Sequence, residues 1–152
     1  MFAGASSRSR ILAIDYGRKR IGLALSDELR LTAQPLATLM HTNRQSDVRC
    51  LREICRGHGV AHIIVGHPVH LSGQAGEMAS ETARFAARLK KELGIEVELV
   101  DERLTTWEAK QTIAETRPKS RRKGFVLDDV AAAVLLRDYL ERKGGNGQTE
   151  KG

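Results

Sequence analysis

The sequence predicts an α/β domain: a five-stranded mixed sheet, strand order 3-2-1-4-5, flanked by helices on both faces. Three observations predict it. Two apolar strands near the start are joined by a short polar turn, so they pair as a hairpin. Downstream, short apolar runs alternate with helical patterns, as parallel strands joined by crossover helices do. Right-handed crossovers then put the fourth strand beside the first and parallel to it, with the fifth outside the fourth.

The hairpin is Ile11–Asp15 and Ile21–Ser26, both rich in Ile, Leu and Ala, so at least one face of each is expected to be buried. Arg30–Leu39 alternates well enough for a third strand, and Pro35 makes it an edge strand. Ser46–Arg56 puts Val48, Leu51 and Cys55 on one helical face, and Gly57 and Gly59 end it. Ala61–Gly66 is a short apolar run of the kind buried on both faces. From about Glu77 to Leu93 a single stripe, Met78, Thr82, Phe85, Ala86, Leu89 and Leu93, predicts a long amphipathic helix stopped by Gly94. Ile95–Val100 is the fifth strand and delivers Asp101 and Glu102. Thr105-Thr106-Trp107-Glu108 has the form of a capping box opening a helix to about Glu115. A basic loop, Arg117–Gly124, leads to a last helix that begins near Asp128 or Asp129. Residues 1–9 are expected to be a disordered lead and 143–152 a frayed tail around one domain at 10–142.

In that topology the first strand sits where the connections change direction, and ligands bind at such points, outside the carboxyl ends of the parallel strands. Asp15, Gly66-His67 and Asp101-Glu102 all fall there. Asp15 and Glu102 would face one another, and Asp128 could close the third side. Oxygen donors without Cys or clustered His select hard divalent cations, so Mg2+ or Mn2+ suits the set better than zinc. Two such ions, roughly 3.5–4 Å apart, could hold a scissile phosphate, which is metal-assisted phosphodiester hydrolysis. Flanking phosphates would be gripped by Arg18, Lys19 and Arg20 in the hairpin turn and by Arg103, Thr105 and Thr106 after the fifth strand. Lys119, Arg121, Arg122 and Lys123 in the basic loop would add to that grip. Plainer roles stand beside these. The hairpin turn can be merely solubilising, and Asp128 or Asp129 can be the N-cap of the last helix. Asp101-Glu102 can be a solvated strand end paired with Arg103, and the two threonines a helix cap. His67 and His70 have no metal spacing between them.

Composition narrows the partners. A net charge of +6 on 152 residues favours a polyanion. Aromatics are only 4%, which argues against a base-stacking platform and for contact with the backbone or shape of a nucleic acid. No apolar run approaches the roughly 20 residues of a membrane span. MFAGASSRSR has no hydrophobic core of the kind secretory signals carry, so the cytoplasm is the expected compartment, with no membrane partner. Cys50 and Cys55, five apart on one helix, diverge and are expected to be reduced thiols, at least one of them in the core.

Three blocks carry a resemblance. Ala13–Asp27 reads A-x-D-x-G-x-K-R-x-G-x-A-x-S-D, Asp101–Ala109 reads D-E-R-L-T-T-x-E-A, and Asp128–Leu136 reads D-x-x-A-A-x-x-L-L. In these the chain resembles the YqgF family, also called RuvX, Holliday-junction-resolvase-like proteins of the ribonuclease-H-like superfamily. The resemblance spans about residues 10–142 and implies a ribonuclease-H-like fold, with Asp15, Glu102 and Asp128 as the catalytic and metal-binding acids. Asp129 is the second choice. It further implies a nuclease maturing the 5′ end of the small-subunit ribosomal RNA precursor, with ribosomal precursor particles as partners. The family commonly has G-L-P where this chain has Gly66-His67-Pro68, which leaves the role of His67 open.

The leading expectation is therefore a divalent-metal-dependent endonuclease acting on structured RNA, as a monomer or weak homodimer. The alternatives are a Holliday-junction resolvase and a protein that binds RNA or DNA junctions without cutting. A phosphotransferase of the actin and sugar-kinase kind, which shares the D-x-G turn, needs two large lobes that 152 residues cannot form.

Overall fold

The computed structural model describes residues 9–68, 74–101 and 127–151, with side chains at 9–68, 76–101 and 130–143. Six strands and three helices occur among them: β1 Arg10–Tyr16, β2 Arg20–Ser26, β3 Ala33–Pro35, β4 Leu39–Met40, α1 Arg44–His58, β5 Val60–His67, α2 Gln74–Leu93, β6 Glu96–Asp101 and α3 Leu127–Lys151. The strands form one sheet in the order β3-β2-β1-β5-β6, with β4 also paired to β2. β1 and β2 are antiparallel, whereas β1, β5 and β6 run parallel. This is the expected mixed sheet and order. The capping-box helix and the basic loop lie outside the described residues. The backbone of α3 is helical to Lys151, across the stretch read as a tail.

The expected third strand, Arg30–Leu39, is instead two short ones. β3 pairs Pro35 with Ala24, whereas β4 pairs Leu39 with Ile21, so this edge carries one residue more than β2 between the two pairings. Pro35 has no N–H to continue the ladder. Leu36 still donates to the Leu23 carbonyl at 2.9 Å before the chain bulges and re-engages.

Alternation along the central strands divides the core. Leu12 and Ile14 of β1, Ile21, Leu23 and Leu25 of β2, and Ile63 and Val65 of β5 face α1 and α2, where Val48, Leu51, Cys55, Ala86 and Leu89 cover them. Ile11, Ala13, Ala24, Ile64 and Val100 face α3, against Ala132, Ala133, Leu136 and Tyr139. Small side chains on both partners bring α3 close to the sheet. Residues 132–136 are all buried, so α3 is enclosed on more than its sheet-facing side.

Local chemistry fixes the ends. Asn43 caps α1 by accepting the Ser46 N–H at 2.9 Å. Gly59 and Gly94, both at φ 67°, end α1 and α2 in the left-handed region that glycine enters without a Cβ clash. At the start of β1, the buried Ser26 hydroxyl accepts the Ile11 N–H at 2.8 Å and donates to the Asp27 carbonyl at 3.0 Å. Both cysteines are free thiols. Cys55 is buried in the core, and that burial pushes its thiol up to about 11. Among the described residues no helix is long and apolar enough to cross a membrane.

Candidate functional site

The carboxyl ends of the three parallel strands lie side by side. Ile14 pairs with Val65, Gly66 with Val100 and His67 with Asp101, so Asp15, His67 and Asp101 occupy one edge of the sheet. Asp15 stands opposite Gly22 of β2 and is half-buried. It shares the parity of Ile11 and Ala13, which puts it on the α3 side of the sheet. On β6 the same side is taken by Glu98 and Val100, since Glu98 accepts the Tyr139 hydroxyl of α3 at 2.9 Å.

The orientation of α3 follows from that contact. The Tyr139 hydroxyl also lies 3.4 Å from His62, near the amino end of β5. The backbone of Asp128, second residue of the helix, is eleven positions earlier, about 16 Å away along the axis. The side chain of Asp128 is outside the described set, as are Glu102, Arg103, Thr105, Thr106, Lys119, Arg121, Arg122 and Lys123. Among the described residues no group of three or more His, Cys, Asp or Glu side chains gathers to hold a metal ion.

The basic turn is tightly built. Gly17 donates to the Arg20 carbonyl at 2.9 Å, and a Cβ at position 17 would stand 2.7 Å from that oxygen. Close approach, rather than an unusual φ, is what calls for glycine here. Arg18, Lys19 and Arg20 are all exposed, and the Lys19 carbonyl accepts the His41 N–H at 3.1 Å. Arg18 does more than offer charge: its Nε lies 3.3 Å from Glu81 of α2. His67 is likewise committed to α2, donating from Nε2 to the Ala79 carbonyl at 3.1 Å.

Sequence reasoning missed the cleft at Tyr16. A hollow of about 510 Å³ is bounded by Tyr16, Arg18, His41, Asp47, Glu81, Arg84 and Phe85, among others. Tyr16 anchors it. Its hydroxyl donates to Glu81 at 3.0 Å, and its ring stacks tilted on Phe85 at 4.4 Å and edge-on to His41 at 5.3 Å. The buried Asp47 carboxylate meets His41 Nδ1 at 2.6 Å and accepts the Thr42 N–H at 3.2 Å. The one sequence signal for any of this was the position of Tyr16, directly after the strand-ending acid.

Two tyrosines here titrate late. Burial, then the hydrogen bond to Glu81, raises Tyr16 to about 12; burial, then Glu98, does the same for Tyr139. A folded pKa above the unfolded value near 10 stabilises the fold fully below pH 10, and that contribution is lost as pH rises toward 12. Parent protein should thus lose stability steeply between pH 10 and 12. Denaturant unfolding across that range should show a shallower loss in Tyr16→Phe and in Tyr139→Phe.

The family described as "RuvX: Holliday junction resolvase" matches residues 9–142. A protein of Moorella thermoacetica named "Putative pre-16S rRNA nuclease" is 42% identical over 138 residues, covering 91% of this chain and 99% of its own. One of the same name from Geobacillus kaustophilus is 43% identical, covering 88% and 99%. Among solved structures, T. thermophilus RuvC in complex with Holliday junction substrate aligns with TM-score 0.54 at 14% identity, over 88% of this chain and 96% of that one. The fowlpox virus Holliday junction resolvase aligns with TM-score 0.56 at 15% identity, over 88% and 99%. At those identities the likeness is one of fold, and the fold is the resolvase-type, ribonuclease-H-like one.

Proposed function

The chain belongs to the RuvX family, and from that premise we propose that it is a nuclease that processes the 5′ end of the 16S ribosomal RNA precursor. In this reading Asp15, Glu102 and Asp128 hold a divalent cation, Mg2+ or Mn2+, against the scissile phosphate. The observation that carries the reading is the place of Asp15: the carboxyl end of the central strand, on the α3 side, at the switch point of the sheet. Relatives about 40% identical over nine-tenths of the chain carry the pre-16S rRNA nuclease name.

The donor chemistry fits a hard cation. The three acids offer oxygen only, and the one histidine on the edge, His67, turns its Nε2 to α2. β6 sends Glu98 and Val100 toward α3, and Glu102, the next residue after β6, lies outside the described residues. Asp128 belongs to the first turn of the helix that packs on that face. When bound, the cation would polarise the phosphodiester and lower the pKa of an attacking water. The chain's own part would be to gather the three carboxylates about the cation, with Arg18, Lys19 and Arg20, exposed in the turn that follows Asp15, taking flanking phosphates.

The test is purified full-length chain with Mg2+ or Mn2+, offered a precursor RNA spanning the mature 5′ end and, separately, a four-way DNA junction. Cleavage of the RNA near that end supports the proposal. Junction cleavage with the RNA left intact assigns resolvase activity instead. Binding of RNA without cleavage by any divalent metal reduces the protein to a binding module.

A further inference from the structure

The cleft at Tyr16 does not stop at Asp47. It continues past Arg44, Val48 and Arg88 into a second hollow of about 470 Å³ that reaches Arg49, Arg52 and Glu92. The combined groove follows α1 and α2, on the opposite side of the sheet from α3. Six arginines line it, Arg18, Arg44, Arg49, Arg52, Arg84 and Arg88, against three acids.

Those acids are occupied from within. Asp47 is buried and held by His41 and Thr42. Glu81 takes the Tyr16 hydroxyl and Arg18, and Glu92 pairs with Arg88 at 3.6 Å. Arg52 spends a donor on the Glu92 carbonyl at 3.0 Å. Arg44, Arg49 and Arg84 have no side-chain hydrogen bond or ion pair among the described residues. Among the described residues the groove therefore keeps unneutralised guanidinium groups along its length.

We propose that this groove is a track for the phosphate backbone of an unpaired nucleic-acid strand leading away from the scissile bond. The proposal rests on the nuclease reading and names where the substrate's flank lies. Three observations support it. The groove opens at Tyr16 and Arg18, at the same end of β1 as Asp15 but on the other face of the sheet, so a strand leaving Asp15 would pass over that edge to enter it. Its arginines recur lengthwise rather than meeting at a point. Arg84 and Arg88 are one turn apart, about 6 Å, and Arg44 and Arg52 about 12 Å. A linear polyanion can use such a row, whereas a single small anion cannot. Finally, the mouth of the groove is aromatic. The rings of Tyr16 and Phe85 line the first hollow and offer apolar surface to an unstacked base, which a duplex hides.

The experiment compares parent protein with Arg49→Glu/Arg84→Glu. Both residues are exposed, so the change should spare the fold, as a thermal melt checks. Binding of a labelled 12-nucleotide single-stranded RNA is followed by anisotropy in EDTA, where nothing is cut. Affinity should fall at least tenfold. The slope of log affinity against log salt should become shallower by about 1.4, two phosphate contacts at about 0.7 each. Single-stranded DNA should behave as the RNA does, because the phosphates are shared, and duplex RNA should lose less than threefold. Arg49→Gln/Arg84→Gln should move every value the same way by a smaller amount, and it carries the test should the reversal variant melt early. Equal affinity and slope in variant and parent would overturn the groove, and so would a duplex that loses as much as the single strand. Failure of the nuclease reading looks different: the parent binds RNA, the variants bind it less, and no metal supports cleavage.

Discussion

Asp15→Asn should lower the cleavage rate by about 10²–10³-fold or more while leaving the protein folded. The substitution keeps the shape of the side chain and removes the charge that a hard cation needs. Asp15 is half-buried at a strand end and outside both core clusters, so packing should not suffer. In the proposed site the carboxylates repel one another without a cation, and the apo variant should therefore melt close to apo parent. Added Mn2+ should raise the melting temperature of the parent, because an ion that binds only the folded state stabilises it, and this rise should vanish in the variant. Single-turnover rates and melts with and without Mn2+ measure all three effects. A variant that cuts at the parental rate would move the chemistry away from the carboxyl end of β1 altogether.

The largest effect on stability should come from Ile64→Ala. Ile64 is fully buried, paired with Ala13 of β1 on one side and Glu98 of β6 on the other, beneath α3. Removing three carbons there leaves a cavity that two hydrogen-bonded neighbours and a close-packed helix cannot collapse into. The expected cost is about 2–5 kcal/mol, which in a domain of this size lowers the melting temperature by about 5–15 °C. Leu31→Ala is the control. Leu31 is 73% exposed, and its loss should stay within about 0.5 kcal/mol. Urea titration of the two variants beside the parent settles the comparison. Similar midpoints would mean that the α3 layer is far more plastic than a close-packed one.

What was legible in the sequence was whatever depended on near neighbours. The β1–β2 hairpin, the double burial of Ile63, Ile64 and Val65, the Gly59 and Gly94 stops and the free cysteines all follow from residues a few positions apart. Strand order followed too, because handedness leaves few ways to connect a hairpin to two crossovers. Asp15 at the central strand end was legible for the same reason.

The cleft was not, since its contacts span the chain. Tyr16 meets Glu81, 65 residues on, and nothing in either local sequence announces the pair. Asp47 sits in the first turn of α1, where an acid usually serves the helix dipole in solvent. Its burial depends on His41, delivered by the end of β4. The division of the third strand escaped for a related cause: Pro35 marks an edge, but the surplus residue beyond it shows only against the register of β2.

That surplus residue has a consequence for the protein in bulk. A straight outer strand offers an unbroken row of amide and carbonyl groups on which a second molecule can grow. Here the row is interrupted after three residues, and the two-residue strand beyond it is out of step with the first. A crooked margin makes a poor template, which guards this side of the fold against fibre-like stacking.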